Sequence, residues 1–196
     1  MPIFMDRHNV EGISPEQFEE AHAMDVALQD KHHVHFLSIW FDEEQGLSFC
    51  LAEAPDGEAV KHIHEETHGN VPTDVIEVDL EKVKAFLGRT SDPQAQAGAP
   101  PLAGIDSAFR VIMFTDQQDS TAAALRYGDR KAFELLRAHD ELSRQAIEEN
   151  NGRVVKHTGD GFMSAFSTVV DALNSAVTLQ RNLAAFNEEN SATPVH

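Results

Sequence analysis

Two periods of apolar residues run through this chain, one suited to strands and one to helices. "PIFMDRH" (2–8), "VHFLSIWF" (34–41), "LSFCLAEA" (47–54) and "DVIEVDL" (74–80) alternate or cluster like strands, and the turn "DEEQG" joins the middle two. Between the first two, Ser14-Pro15-Glu16-Gln17 is a helix start. Ser14 is the N-cap, Pro15 takes the first helical position and Gln17 completes a capping box. That helix is expected through "EQFEEAHAMDVALQ" (16–29), and "DGEAVKHIHEETHG" (56–69) is a second one closed by Gly69. The order β-α-β-β-α-β predicts a ferredoxin-like sandwich with its helices on one face of an antiparallel sheet.

The periodicity then stops. "GRTSDPQAQAGAPPLAG" (88–104) is rich in Pro, Ala, Gly and Gln and reads as a linker, the alternative being an unusually long surface loop. The expected division is therefore a domain at 1–87, a linker at 88–106 and a second domain at 107–196. In the second, "FRVIMFT" (109–115) is a strand and "RKAFELLRAHDELSRQAIEEN" (130–150) a long amphipathic helix. "GRVVKHT" and "GFMSAFS" form a hairpin around Gly159-Asp160, and "VVDALNSAVTLQRNLAAFNEEN" (169–190) is a final helix. The fold class is thus α+β: two ferredoxin-like α/β sandwich modules, the second incomplete. A half sheet leaves an unpaired edge and part of its apolar face open, which a second copy or a partner chain would cover.

Charge narrows the partners. The 196 residues carry a formal net charge of −18. Residues 1–90 hold 6 Lys and Arg against 19 Asp and Glu, and the remainder 9 against 14. Such a surface repels nucleic acid and anionic lipid, so neither is an expected partner. The lone Cys50 excludes an internal disulfide and fits a reducing compartment. No basic region followed by an apolar core opens the chain and no apolar run reaches membrane-spanning length, so a cytoplasmic location is expected.

Asp116 ends the apolar run of "VIMFTDQQDST", and Asp160 sits in a tight turn between Gly159 and Gly161. Two acids at adjacent strand ends can hold Mg²⁺ or Mn²⁺, whose hard character favours oxygen ligands and leaves positions open for phosphate. On spacing alone, "GDG" reads sooner as an ordinary turn than as a metal site. The paired segments "FTDQQDST" and "VVKHTGDGFMSAF", with a long helix between them, resemble the first half of a class III adenylate/guanylate cyclase catalytic domain. The resemblance covers about 109–187. It implies that Asp116 and Asp160 are the two-metal carboxylates, with the Gln117 carbonyl a further ligand. Gln118, Asp119, Ser120 and Thr121 would face the phosphates beside Gly159, and Lys156 would contact the purine, favouring ATP over GTP. In that family one metal activates the ribose 3′-hydroxyl and the other holds the triphosphate. This sequence departs from the pattern at Gln117, where an apolar residue is usual, and at Asp119, where glycine is usual. It also lacks the family's transition-state Asn and Arg, which Arg181 and Asn187 do not match. Weak or absent turnover of ATP to cyclic AMP is therefore expected of this chain.

Eight of the eleven histidines lie between His8 and His68. His64 and His68 are four apart and share a helix face, a spacing that suits a metal. His22 and Asp25 are three apart on the first helix, and His8 closes the first strand. His62 points elsewhere, and "HHVH" (32–35) reads as exposed histidines. Softness alone does not choose among Ni²⁺, Zn²⁺ and Cu²⁺. "FMDRH", "AHAMD", "FDEEQGLSFCLAEAPDGEAV" and "HEETHG" make residues 2–78 resemble the small ferredoxin-like nickel-binding domains. That resemblance implies metal binding through His8, His22, His64 and His68. Cys50 lies in the strand pattern "LSFCL" and is expected in the core rather than as a ligand. The combined expectation is a nickel-binding sensor domain tethered to a cyclase domain, as a homodimer or with a partner cyclase chain. The competing expectation is a non-catalytic nickel-binding protein whose cyclase remnant binds nucleotide or dimerises.

Overall fold

The computed structural model describes residues 1–91 and 106–195, so most of the expected linker lies outside the described residues. The chain divides into two compact units, Met1–Phe109 and Arg110–His196.

The first unit runs β1 (Ile3–Asn9), α1 (Pro15–His32), β2 (His35–Asp42), β3 (Leu47–Glu53), α2 (Gly57–Thr67), β4 (Asp74–Glu77) and α3 (Leu80–Leu87). The capping box forms: Gln17 N–H donates to Ser14 Oγ at 3.3 Å, and Ser14 N–H donates to Gln17 Oε1 at 3.0 Å. Asp56 caps α2 by accepting from Ala59 N–H at 2.9 Å. At its far end Gly69 takes φ +76° and its N–H returns to the His64 carbonyl at 2.9 Å. The sheet order is β2-β3-β1-β4, with every pairing antiparallel.

Alternation divides β1 between two cores. Phe4 packs with Phe18, Phe36, Val60 and Ile63 under α1 and α2, while Ile3 and Met5 join Trp40 and Leu51 on the other side. That other side is not bare. Val83, Leu80 and Leu87 of α3 pack against Trp40, and the Arg89 guanidinium lies 5.6 Å from the centre of its ring. The pattern "DVIEVDL" suggests a strand through Leu80, and helices on one sheet face only; both expectations are corrected here. Asp79 accepts from the N–H groups of Glu81 and Lys82 at 3.0 and 3.2 Å and so starts a helix directly after β4. Gly88, at φ +83°, ends it.

The second unit runs β5 (Val111–Phe114), α4 (Ser120–Tyr127), α5 (Asp129–Glu149), β6 (Arg153–His157), β7 (Phe162–Phe166) and α6 (Val169–Glu189). The extra helix α4 is separated from α5 by Gly128 at φ +79°. Its sheet order, β5-β7-β6, repeats the β1-β3-β2 order of the first unit. Ile147, Phe162, Phe166 and Ala172 form one core beneath Val111 and Met113, and Leu135, Ala146, Leu179, Leu183 and Val195 form another. Ile112 and Phe114 on the other side of edge strand β5 are 37% and 67% exposed. Val170, Leu173 and Val177, one stripe of α6, are exposed as well.

Candidate metal centre and carboxylate pair

Strand register builds half of the first site. Asp6 and His8 are two apart on β1 and share a face; Cys50 of β3 stands opposite Asp6, and Ser48 opposite His8. The sandwich then brings His22 and Asp25 of α1, and His64 of α2, down onto that face. His68 follows as the C-cap of α2 rather than within it. These side chains line a cavity of about 150 Å³ that His8, His22, Asp25, Cys50, His64 and His68 share. Asp6, His8, Asp25 and His64 are nearly inaccessible, His22 is buried, and His68 is partly covered.

His64 is the hub. Its Nε2 lies 3.0 Å from Asp6 Oδ2, and its Nδ1 lies 3.1 Å from Asp25 Oδ2 and 3.3 Å from His68 Nε2. His68 Nε2 is itself 3.2 Å from Asp25 Oδ2, and Thr67 Oγ1 donates to Asp25 Oδ1 at 2.5 Å. Cys50 N–H donates to Asp6 Oδ1 at 2.9 Å. Burial opposes charge on His64, but hydrogen bonds to Asp25 and Asp6, and their charges, override it and raise its pKa to about 9. Burial likewise opposes ionisation of Asp6 and Asp25, yet their histidine partners hold both carboxyls well below the usual range. Metal-free, the centre is an imidazolium clamped between two carboxylates. His8 is different: Nε2 stands 3.4 Å from Asp6 Oδ1, and both ring nitrogens are buried without a hydrogen-bond partner. A buried nitrogen left unpaired in a cavity of acids and imidazoles fits a cation that is bound there.

These shifts have a signed consequence for the metal-free protein. The pKa of His64 rises on folding, from an ordinary 6.5 to about 9, so its contribution is complete below 6.5 and is lost as pH climbs through 9. Asp6 and Asp25 are depressed, so theirs is present above an ordinary 3.8 and is lost at lower pH. Denaturant unfolding of chelator-treated protein, followed by the fluorescence of the single, buried Trp40, is expected to show stability falling between pH 6.5 and 9. The drop is on the order of 3 kcal/mol; a flat profile across that interval contradicts the clamp.

Elsewhere on the first unit, His62, His33 and His35 are exposed, and His32 Nε2 pairs with Glu66 at 2.9 Å. None of the four lines the cavity.

The second site lies where β5 and β7 end side by side. Thr115 N–H donates to the Phe162 carbonyl at 2.9 Å, Phe162 N–H donates back to Thr115 O at 3.2 Å, and Gln117 N–H donates to the Asp160 carbonyl at 2.9 Å. This ladder sets Asp116 beside Asp160, whose neighbouring carboxyl raises the pKa of Asp116. Ser120 Oγ donates to Asp160 Oδ2 at 2.9 Å, and this bond, followed by that to Asp116, keeps Asp160 low. Two carboxylates placed side by side repel one another, and a divalent cation held between them would relieve that repulsion. Gly161 makes the approach feasible: a Cβ there would lie 1.8 Å from Thr115 O.

An adjoining cavity of about 440 Å³ is lined by Gln117, Ser120, Thr121, Phe133, Gly159 and Asp160 among others. Gln117 is buried with Oε1 unpartnered. Gln118 and Asp119 are exposed, and Asp119 takes φ +56°, a left-handed conformation that glycine adopts at lower cost. Lys156 is exposed on β6 and does not line this cavity. Arg181 is exposed on α6, and Asn187 is occupied with the tail, donating to Val195 O at 2.7 Å and accepting from Val195 N–H at 2.8 Å.

Asp6, Cys50 and Thr67 were not among the expected site residues. The signal for Asp6 was present: a strand period of two puts it beside His8, and a charged residue on an inward face needs a partner. His139 was missed too. It is buried on α5, where burial lowers its pKa against the opposing charges of Asp140, Asp116 and Asp160.

Comparison with known proteins bears on the first unit. The family described as nickel responsive protein SCO4226-like matches residues 4–78. The crystal structure of SCO4226 from Streptomyces coelicolor A3(2) is 38% identical, covering 40% of this chain and 96% of its own, with a TM-score of 0.38. Through these residues the chain belongs to the SCO4226-like family. The SCO4226-like segment contains every residue of the buried cluster, whereas α3 lies beyond it. Two structures of a bacterial light-regulated adenylyl cyclase cover 96% of this chain and 66% and 67% of their own. At 13% and 12% identity and TM-scores of 0.37 and 0.40 they carry no argument about activity. No curated protein matches the chain. Among the described residues, no helix is long and apolar enough to cross a membrane.

Proposed function

We propose that the first unit binds nickel in the cavity between β1, α1 and α2. We further propose that the second binds a Mg²⁺- or Mn²⁺-nucleotide, ATP before GTP, through Asp116 and Asp160. The observation that carries the nickel reading is the buried cluster itself. Asp25 and the imidazoles of His8, His22, His64 and His68 converge on one cavity, with Asp6 bonded to His64 beside it and His8 lacking a hydrogen-bond partner, in a segment of the nickel-responsive family. Asp6, His8, Cys50 and His64, and Asp25, His64 and His68, form two overlapping donor sets from which the ion can draw, and His22 borders them. Bound nickel would supply a fixed positive charge that ties β1 to both helices, which suits a sensor.

For the second unit, the paired carboxylates and the neighbouring Ser120, Thr121 and Gly159 support metal–triphosphate binding. The ions, when bound, would polarise the phosphates and the ribose hydroxyl. Arg181 is exposed on α6 and Asn187 is held by Val195, so on this reading neither supplies transition-state charge and cyclic AMP formation is weak. The exposed apolar residues of β5 and α6 support association with a second copy or a partner cyclase chain. The acidic surface and the free thiol of Cys50 support a cytoplasmic location.

Calorimetry on the intact chain tests both halves. Nickel is expected to bind in a manner abolished by His64→Ala. Mn²⁺-ATP is expected to bind in a manner abolished by Asp160→Asn, with cyclic AMP at or near background. Nickel binding unchanged by His64→Ala removes the first reading, and Mn²⁺-ATP binding unchanged by Asp160→Asn removes the second. Rapid cyclic AMP synthesis would instead require donors not identified in this cavity.

A further inference from the structure

Two overlapping donor sets exist in the cluster, and they share one ring. Asp6, His8, Cys50 and His64 each present a ligand atom within 4.8 Å of the others, as do Asp25, His64 and His68. A neutral imidazole has one free lone pair, so in that form His64 serves only one set.

We infer that the nickel of the first unit sits in the four-donor set, bound by the Cys50 thiolate together with His8, His64 Nε2 and Asp6. This rests on reading the cluster as a nickel site and specifies which of its atoms ligate. Three features favour it. All four side chains are at most 3% exposed, so the donors are held apart from bulk solvent. His8, with a buried Nδ1 lacking any hydrogen bond, belongs to this set and not to the other. The charges also match: Ni²⁺ replaces one proton of the Cys50 thiol and one of the His64 imidazolium, so binding leaves the net charge of the buried cluster unchanged.

The second set then has a defined role. With Nε2 on the metal, His64 keeps its proton on Nδ1 and donates it to Asp25 Oδ2, 3.1 Å away. Thr67 and His68 hold Asp25 in turn. A carboxylate behind a ligating imidazole fixes the ring's orientation and strengthens it as a donor. Without metal, burial and then the charges of Asp6 and Asp25 push the Cys50 thiol well up, so it stays protonated and inert. Binding breaks the S–H bond of Cys50 and the Nε2–H bond of His64. It forms Ni–S and Ni–N bonds and releases two protons to solvent; no atom changes oxidation state.

Nickel added to the full-length chain is expected to produce a thiolate-to-nickel charge-transfer absorption in the near ultraviolet. In Cys50→Ser that band is lost and nickel affinity falls by about tenfold or more. The band on the unaltered chain is read without any variant, so the test survives if Cys50→Ser folds poorly. Nickel binding without the band, unaffected by Cys50→Ser and lost in His68→Ala, would place the metal on Asp25, His64 and His68 and overturn the thiolate site alone. No nickel binding by the unaltered chain would overturn the reading of the cluster together with it.

Discussion

Alanine at position 64 is expected to abolish nickel binding and to destabilise the metal-free N-terminal unit by about 3–5 kcal/mol. The two effects have one origin. His64 lies between Asp6 and Asp25, bonding the first through Nε2 and the second through Nδ1. Removing the imidazolium leaves two carboxylates facing a cavity with no cation between them. Asp6 is 1% exposed and Asp25 2%, so bulk water is a poor substitute for the lost partner. Losing one partner of a buried charge pair exceeds the usual cost of a core truncation, because unpaired charge remains. Trp40 is the reporter: it is fully buried in the same unit, so its fluorescence follows that unit's unfolding. A destabilisation below about 1 kcal/mol would mean that Asp6 and Asp25 find other partners.

The second large effect concerns Gly161. Alanine there would set a Cβ 1.8 Å from the Thr115 carbonyl oxygen and 2.9 Å from Asp116 Cα. The obstacle is backbone rather than a flexible side chain, so β5 and β7 must separate where they deliver Asp116 and Asp160. Overpacking of this kind costs about 1–3 kcal/mol or more. Gly161→Ala is therefore expected to lower the stability of the second unit and to eliminate Mn²⁺-ATP binding with both carboxylates still present. Gly159→Ala is the control for space: its φ is +114°, but a Cβ there meets nothing within 4 Å. A Gly161→Ala chain that binds Mn²⁺-ATP like the unaltered one would show that the two acids need not stand so close.

Much of this architecture is legible in local patterns. The Ser14–Gln17 box, the apolar runs of β1, β2 and β3, and the long periods of α5 and α6 are each settled within a few residues, by backbone capping and by which face is apolar. Helix α3 was less legible. "DVIEVDL" alternates well enough to suggest a longer strand, and only the Asp79 cap with the waiting face of Trp40 and Leu51 turns the chain into a helix. Tertiary burial outweighs a weak local preference there.

The sites divide the same way. Histidine spacing by itself marks His64 and His68, and the tight turn marks Asp160, because helix and turn geometry follow from neighbours in sequence. That Asp6 and Cys50 face His8 and His64, or that Asp116 comes beside Asp160, depends on strand register between segments about 40 residues apart. Which ring carries a proton, which nitrogen lacks a partner and which acid shares a hydrogen bond are decided later still. They follow from burial and from charges that only the folded chain brings within a few ångströms of one another.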